Sequence, residues 1–129
     1  MAKISINIAT GSLQQQEMIV GIDLCITNSL VAVIKKKKKK PSVLKEFDGV
    51  ALVPSVIHFG EGGIVSVGDM AKTKLIEEPQ NTIFSVKRLM GKSHNDVKDY
   101  TVFYTYKVID DNTDSLVKVQ VGDKFYSPI

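Results

Sequence analysis

The chain has 129 residues, of which 43% are hydrophobic and 24% are charged, a composition that excludes wholesale disorder and suits one domain or a piece of one. Lysine and arginine outnumber aspartate and glutamate by 17 to 14, but six of the lysines form the run 35–40, so the basic balance belongs to one segment. The single cysteine, Cys25, excludes an internal disulfide. No stretch approaches the ~20 apolar residues of a membrane helix or forms a signal peptide, so a cytoplasmic location is expected.

The first half of the chain predicts an extension followed by a hairpin. Residues 1–17 are polar towards their end and are expected to form a loose extension. The apolar, β-branched runs Met18–Leu24 and Ser29–Ile34 predict two buried strands, joined by a tight turn over Cys25–Asn28. The lysine run and Pro41 are expected to end this unit, because proline has no N–H to donate to a neighbouring strand.

The remainder predicts alternating strands and helices. Asp69 is expected to cap a first helix that ends before Pro79, and Asn81 to cap a second helix that ends at Gly91 and presents Lys87 and Arg88 opposite an apolar stripe. The other predicted elements are strands at Val43–Lys45 and Val53–Phe59, a short helix at Asn95–Tyr100, and a hairpin of Val117–Val121 and Lys124–Tyr126 around Gly122 and Asp123.

Several charged or ligand-type residues have ordinary structural explanations. Asp110, Asn112 and Asp114 favour an acidic solvated turn over a calcium loop, since glycine and glutamate are missing where that loop needs them. His58 lies in a strand pattern and is expected to be a hydrogen-bonded strand residue. The lysine run favours a solvated loop, although phosphate binding to nucleic acid or anionic lipid stays open as an alternative.

Two segments remain as candidates for chemistry. An aspartate at a strand end, here Asp23, followed by a tight turn can hold phosphate and Mg²⁺ through amides, hydroxyls and the carboxylate. The segment Asn81–Gly91 presents Lys87 and Arg88. Each pattern alone is common in proteins without such a site.

Their order along the chain resembles that of the seventy-kilodalton heat-shock chaperones, the DnaK and HscA family. Val20–Ser29 is similar to the family's G-I-D-L-G-T-T-N-S, Val53–Phe59 to its P-S-V-x-x-F strand, and Val67–Lys72 to V-G-x-x-A-K. Pro79–Gly91 resembles P-x-N-T-I-x-x-x-K-R-L-M-G almost residue for residue. The likeness covers about residues 18–129, and the leading extension with His58 leans towards the HscA branch, which serves iron–sulfur cluster assembly.

The resemblance implies an α/β fragment of lobe one of an actin-like, ribonuclease H-like ATPase domain. The implied parts are an extension (1–17), the first hairpin with its phosphate turn (18–40), a peripheral subdomain (41–124) and a truncated return into the main lobe (125–129).

The resemblance also implies functional roles. Lys87 would be catalytic, reaching the γ-phosphate and the attacking water, and Asp23 would help to hold hydrated Mg²⁺. The implied nucleotide-binding residues are Cys25, Ile26, Thr27, Asn28 and Arg88. Cys25 stands where the family has glycine and Ile26 where it has threonine, so close approach to phosphate and one hydroxyl donor are expected to be lost.

The leading functional reading is therefore an ATP-binding chaperone present as a truncated nucleotide-binding domain, inactive alone. The complete protein is expected to bind unfolded client peptides, a J-domain co-chaperone and a nucleotide exchange factor, and neither nucleic acid nor membrane. The alternative is a non-catalytic or degenerate subdomain that at most docks a partner protein. With neighbouring strands missing, the first hairpin is also expected to leave an apolar face uncovered.

Overall fold

A computed structural model describes residues 5–7, 12–14, 18–35, 38–46, 48–109 and 116–129. Strands outnumber helices in this part of the chain, which confirms the predicted mixed α/β class. The strands are β1 (Ser5–Asn7), β2 (Ser12–Gln14), β3 (Met18–Leu24), β4 (Asn28–Lys35), β5 (Lys38–Val43), β6 (Val53–Pro54), β7 (Val56–Phe59), β8 (Val65–Val67), β9 (Thr82–Phe84), β10 (Lys107–Ile109), β11 (Lys118–Val121) and β12 (Lys124–Tyr126). The α-helices are α1 (Asp69–Glu77) and α2 (His94–Val97), and 3-10 turns lie at Glu61–Gly63, Pro79–Asn81, Val86–Leu89 and Thr101–Phe103.

The chain divides into two compact units. The first comprises Met1–Asp23 and Leu30–Ala51, and the second comprises Leu24–Ser29 and Leu52–Ile129. Each unit is made of two separate stretches of sequence, because the turn between β3 and β4 belongs to the second unit. Within the described residues, no helix has the length and apolar character needed to cross a bilayer.

The first unit contains a β1–β2 hairpin and strands in the order β3–β4–β5. Residues 1–17 were expected to form a loose extension, whereas β1 and β2 pair antiparallel with Ile6 opposite Leu13. The predicted hairpin is confirmed in position. Its burial is not, because every residue of β3 is exposed and Ile22 is 70% exposed. The expectation of an uncovered apolar face describes β3 better than the expectation of a buried strand.

The lysine run does not end the sheet. Lys38–Val43 forms β5, which pairs antiparallel with β4 through Ala32 opposite Val43 and Val33 opposite Ser42. The predicted solvated loop and the predicted strand at Val43–Lys45 are therefore both wrong in their bounds. Pro41 is tolerated because β5 is at the edge of the strand order, where one side of the backbone needs no partner.

The second unit has a buried core between two small sheets, ordered β8–β7–β9 and β10–β11–β12. The tail hairpin is as predicted, with Val121 opposite Lys124 across the turn. Alternation along β11 buries its valines on one face. The core residues are Ile83, Leu89, Val97, Tyr106, Val117, Val119 and Val121.

The predicted second helix is wrong. Thr82–Phe84 is strand β9, which pairs with β7 through Ile57 opposite Ile83, and only Val86–Leu89 coils, as a 3-10 turn. Ser85 separates the two with a left-handed φ of 54°. The apolar residues whose spacing favoured a helix are buried all the same. Ile83 is buried as part of strand β9, and Leu89 is buried as part of the 3-10 turn.

Helix α1 begins one position differently from the prediction. Asp69 is its first helical residue rather than its cap, and Gly68 occupies the cap position without a side-chain hydrogen bond. The carboxylate of Asp69 still lies in the first turn, where the helix dipole favours a negative charge. The helix ends at Glu77, before Pro79, as predicted.

His58 closes a polar cluster at the end of α1. It is 6% exposed, and its Nε2 donates to Oε2 of Glu78 at 3.0 Å, which confirms the expectation of a hydrogen-bonded strand histidine. Thr82, which is fully buried, donates to the carbonyl of Glu78 at 2.7 Å. These contacts join β7 and β9 to the last turn of the helix. The acidic segment 110–115 lies outside the described residues.

This cluster predicts a pH dependence of stability. The hydrogen bond from His58 holds the pKa of Glu78 below its ordinary value, with a smaller contribution from Lys74. A carboxyl whose pKa is lower in the folded than in the unfolded state stabilises the fold above the unfolded pKa, and this stability is lost as the pH falls through the folded pKa. Between about pH 5 and pH 3, the wild type should therefore lose more stability than Glu78→Gln in urea titrations. Glu77→Gln, which alters the neighbouring exposed carboxylate, is the control and should follow the wild type. Parallel curves for the wild type and Glu78→Gln would contradict this.

Candidate functional site

The candidate site is the turn that joins β3 to β4. Leu24 is the last residue of β3 and Asn28 the first of β4, so Cys25, Ile26 and Thr27 make the turn. Cys25 and Thr27 are exposed, whereas Ile26 and Asn28 are partly buried. The predicted turn is therefore present, with exposed backbone and one exposed hydroxyl.

Lys87 contacts this turn from a distant part of the chain. Its Nζ donates to the carbonyl oxygen of Leu24 at 2.6 Å, across 63 residues of sequence. The 3-10 turn that carries Lys87 is fixed by Leu89, which is fully buried. The buried side chain of Leu89 thus fixes the backbone two residues from Lys87, whose exposed ammonium group contacts the start of the turn.

Ser55 contacts the same turn, and the sequence analysis missed it. Its backbone N–H donates to the carbonyl of Thr27 at 2.9 Å, and its Oγ donates to the carbonyl of Cys25 at 2.9 Å. The one available signal was Pro54-Ser55 inside the apolar run 53–59, where the predicted single strand is in fact divided into β6 and β7.

Asp23 and Arg88 are the other two predicted site residues outside the turn. Asp23 belongs to the first compact unit and is exposed at the end of β3. Arg88 is exposed beside Lys87, and its positive charge opposes the burial that raises the pKa of Tyr104. The structure therefore brings Lys87 to the carbonyl of Leu24, at the start of the turn.

The arrangement suits a polyphosphate. A cation, turn amides and the hydroxyl of Thr27 are the donors that phosphate oxygens require. Among the residues that the structure describes, no three histidine, cysteine, aspartate or glutamate side chains converge to hold a metal ion. A single carboxylate such as Asp23 fits Mg²⁺, which usually keeps several waters and takes its other ligands from the nucleotide.

The sequence was also compared with known protein families. The sequence profile described as Hsp70 protein matches residues 19–129, which include the turn, Ser55 and Lys87. The mixed α/β fold with many strands is consistent with a fragment of the family's actin-like ATPase domain. The chain therefore belongs to the Hsp70 family, whose members are ATP-binding chaperones.

Proposed function

We propose that this chain is the phosphate-holding part of a nucleotide-binding domain of the DnaK/HscA type. The observation that carries the proposal is the 2.6 Å contact between Nζ of Lys87 and the carbonyl of Leu24, which brings a cation to the turn. The proposed parts are an extension at 1–17, the hairpin with its turn at 18–40, a peripheral subdomain at 41–124 and a return into the main lobe at 125–129.

Each residue has a proposed role in holding ATP. The backbone N–H groups at Cys25, Ile26 and Asn28 donate to phosphate oxygens, and the hydroxyl of Thr27 adds a further donor. Asp23 holds a hydrated Mg²⁺, which when bound neutralises charge on the phosphates. Lys87 orients the γ-phosphate and the attacking water, and Arg88 lines the nucleotide cleft. Phosphoryl transfer needs this positioning and charge neutralisation more than covalent help from protein.

Lys87 can exchange its present partner for phosphate at small cost. Its side chain is exposed, and so is its hydrogen bond to Leu24. Water can therefore solvate the vacated carbonyl, so no buried polar group is left without a partner. The charge-assisted bond to phosphate is the stronger of the two. The contact seen here is thus a resting position of the lysine.

The same exposure limits what this chain does alone. Cys25, Thr27 and Lys87 are all exposed, so the phosphates would remain in contact with water. Water weakens the electrostatic interactions in such an exposed site. The described residues of the turn form no enclosed pocket that holds one water molecule in position to attack the γ-phosphate. We infer weak ATP binding without measurable turnover by the isolated chain.

A titration of the ¹⁵N-labelled chain with Mg-ATP tests the proposal. Amide signals of Thr27 and Asn28 should shift, and Lys87→Ala should raise the Kd about tenfold, the lower end of the effect of a hydrogen bond to a charged group. Lys72→Ala removes a cation from the exposed side of α1 and should leave the Kd unchanged. Unchanged spectra at millimolar ATP, or equal Kd values for the wild type and Lys87→Ala, would refute the proposal.

The same titration separates two other functions. The second unit has its own buried core and exposes Tyr100, Val102 and Phe103, which favours a protein-docking module as the second candidate. A docking module would give no shift with ATP. Binding through the lysine run would depend steeply on salt and would survive Lys87→Ala.

The finer family position rests on two features. His58 and the residues that precede Met18 favour the HscA branch, with iron–sulfur cluster assembly in the cytoplasm, client peptides, a J-domain co-chaperone and an exchange factor as proposed partners. An iron–sulfur scaffold protein that fails to stimulate ATP hydrolysis by the protein of which this sequence is part would remove this assignment.

A further inference from the structure

We propose that Ser55 is a positioning residue that fixes the backbone of the phosphate turn, an inference that rests on the proposed nucleotide function. Ser55 lies where an apolar run is divided between two sheets. Strand β6 directly precedes Ser55, and it pairs with β4 through Asn28 opposite Pro54 and Ser29 opposite Val53. On its other side, β7 pairs with β8 and β9. The serine is therefore held from both sides by paired strands.

Ser55 makes three hydrogen bonds around the turn. Its N–H donates to the carbonyl of Thr27 at 2.9 Å, and its Oγ lies 2.9 Å from the carbonyl of Cys25 and 2.8 Å from Oγ of Ser29. A hydroxyl has one hydrogen to donate, and a carbonyl can only accept. The hydroxyl of Ser55 therefore donates to Cys25, and the hydroxyl of Ser29 donates to Ser55. The chain Ser29 to Ser55 to Cys25 has one possible direction.

These bonds set the direction of the donors in the turn. In a trans planar peptide, the C=O and the following N–H point to opposite sides. With the carbonyls of Cys25 and Thr27 held towards Ser55, the N–H groups of Ile26 and Asn28 point away from it. Ser55 thus orients two amides for phosphate without touching the nucleotide itself.

Variants of the two serines test this inference. In Ser55→Ala, hydrogen exchange of the backbone amide at position 55, which donates to Thr27, should accelerate about tenfold in the absence of nucleotide, and the Kd for Mg-ATP should rise several-fold. Ser55→Thr keeps the hydroxyl and should restore both values. Ser29→Ala removes only the outer bond and should have a smaller effect in the same direction. Ser66→Ala, at a partly buried serine of β8, is the matched control and should change neither.

Core amides separate positioning from general destabilisation. Exchange at Leu89 and Val119 should be the same in the wild type and Ser55→Ala, since these residues lie in the hydrophobic core. Equal acceleration in turn and core, or no rescue by Ser55→Thr, would overturn the inference. Unchanged exchange and unchanged Kd in Ser55→Ala would overturn it while leaving ATP binding intact. A wild type that does not respond to ATP would refute the nucleotide function, and the exchange measurement would still show whether Ser55 orders the turn.

Discussion

Replacing Leu89 by alanine is expected to lower the free energy of unfolding by about 2–5 kcal/mol. Leu89 is 0% exposed and packs in the core of the second unit with Ile83, Val97 and Val119. Removing its side chain costs the transfer free energy of the lost carbons and leaves a cavity that the surrounding strands fill only partly. Urea denaturation of the wild type and the variant measures the difference directly.

Ile76→Ala provides the matched control for this substitution. It also reduces an aliphatic side chain to alanine, but Ile76 is 91% exposed on α1. Its effect should stay within about 0.5 kcal/mol. Similar losses in the two variants would show that Leu89 is not the core residue described here. Leu89→Ala should also weaken the contact between Lys87 and Leu24, because the 3-10 turn of Lys87 loses its anchor.

Gly68→Ala is expected to destabilise the chain by about 2–4 kcal/mol, from backbone strain together with overpacking. Gly68 has φ 77° and ψ −138°, a region open essentially to glycine alone. A Cβ at this position would also lie 2.9 Å from Cγ1 of Val53. The glycine therefore lets the start of α1 pass close to β6, and its N–H donates to the carbonyl of Val56 at 3.1 Å.

Two further variants separate strain from crowding. Gly62→Ala places a side chain at a left-handed position with no atom within 4 Å, so it should cost only about 1–2 kcal/mol. Val53→Ala in the Gly68→Ala background removes Cγ1 and should recover the crowding part of the loss. Thermal unfolding of the four proteins gives both quantities. A Gly68→Ala protein as stable as the wild type would contradict the backbone conformation.

The sequence predicts strands more accurately than burial or helices in this chain. Period-two alternation located β11, and apolar runs located β3 and β4, because these signals are local. The helix expected after Asn81 failed because Thr82 and Ile83 pair with β7, a contact that no local pattern reveals. The prediction that β3 is buried was wrong for a related reason, because the exposure of a strand depends on which other elements cover it.

In the candidate site too, the sequence predicted the local features but not the contacts between distant residues. The pattern of β-branched strands predicted the turn, and family resemblance indicated Lys87, whose approach to Leu24 is a contact across 63 residues. Ser55 was missed because its role follows from a strand that is divided between two sheets, which the run Val53–Phe59 does not reveal.

The long separations around the turn also determine when it can form during synthesis. Ser55 lies 30 residues after Cys25 and 26 after Ser29, and Lys87 lies 63 after Leu24. Closing the loop between the two serines alone costs about 3 kcal/mol of chain entropy, by the logarithmic dependence on length. A nascent chain that has exposed only the hairpin has nothing to offset this cost. The turn can therefore be held in this shape only after Ser55 and Lys87 have been synthesised, because these later residues supply its hydrogen-bond partners.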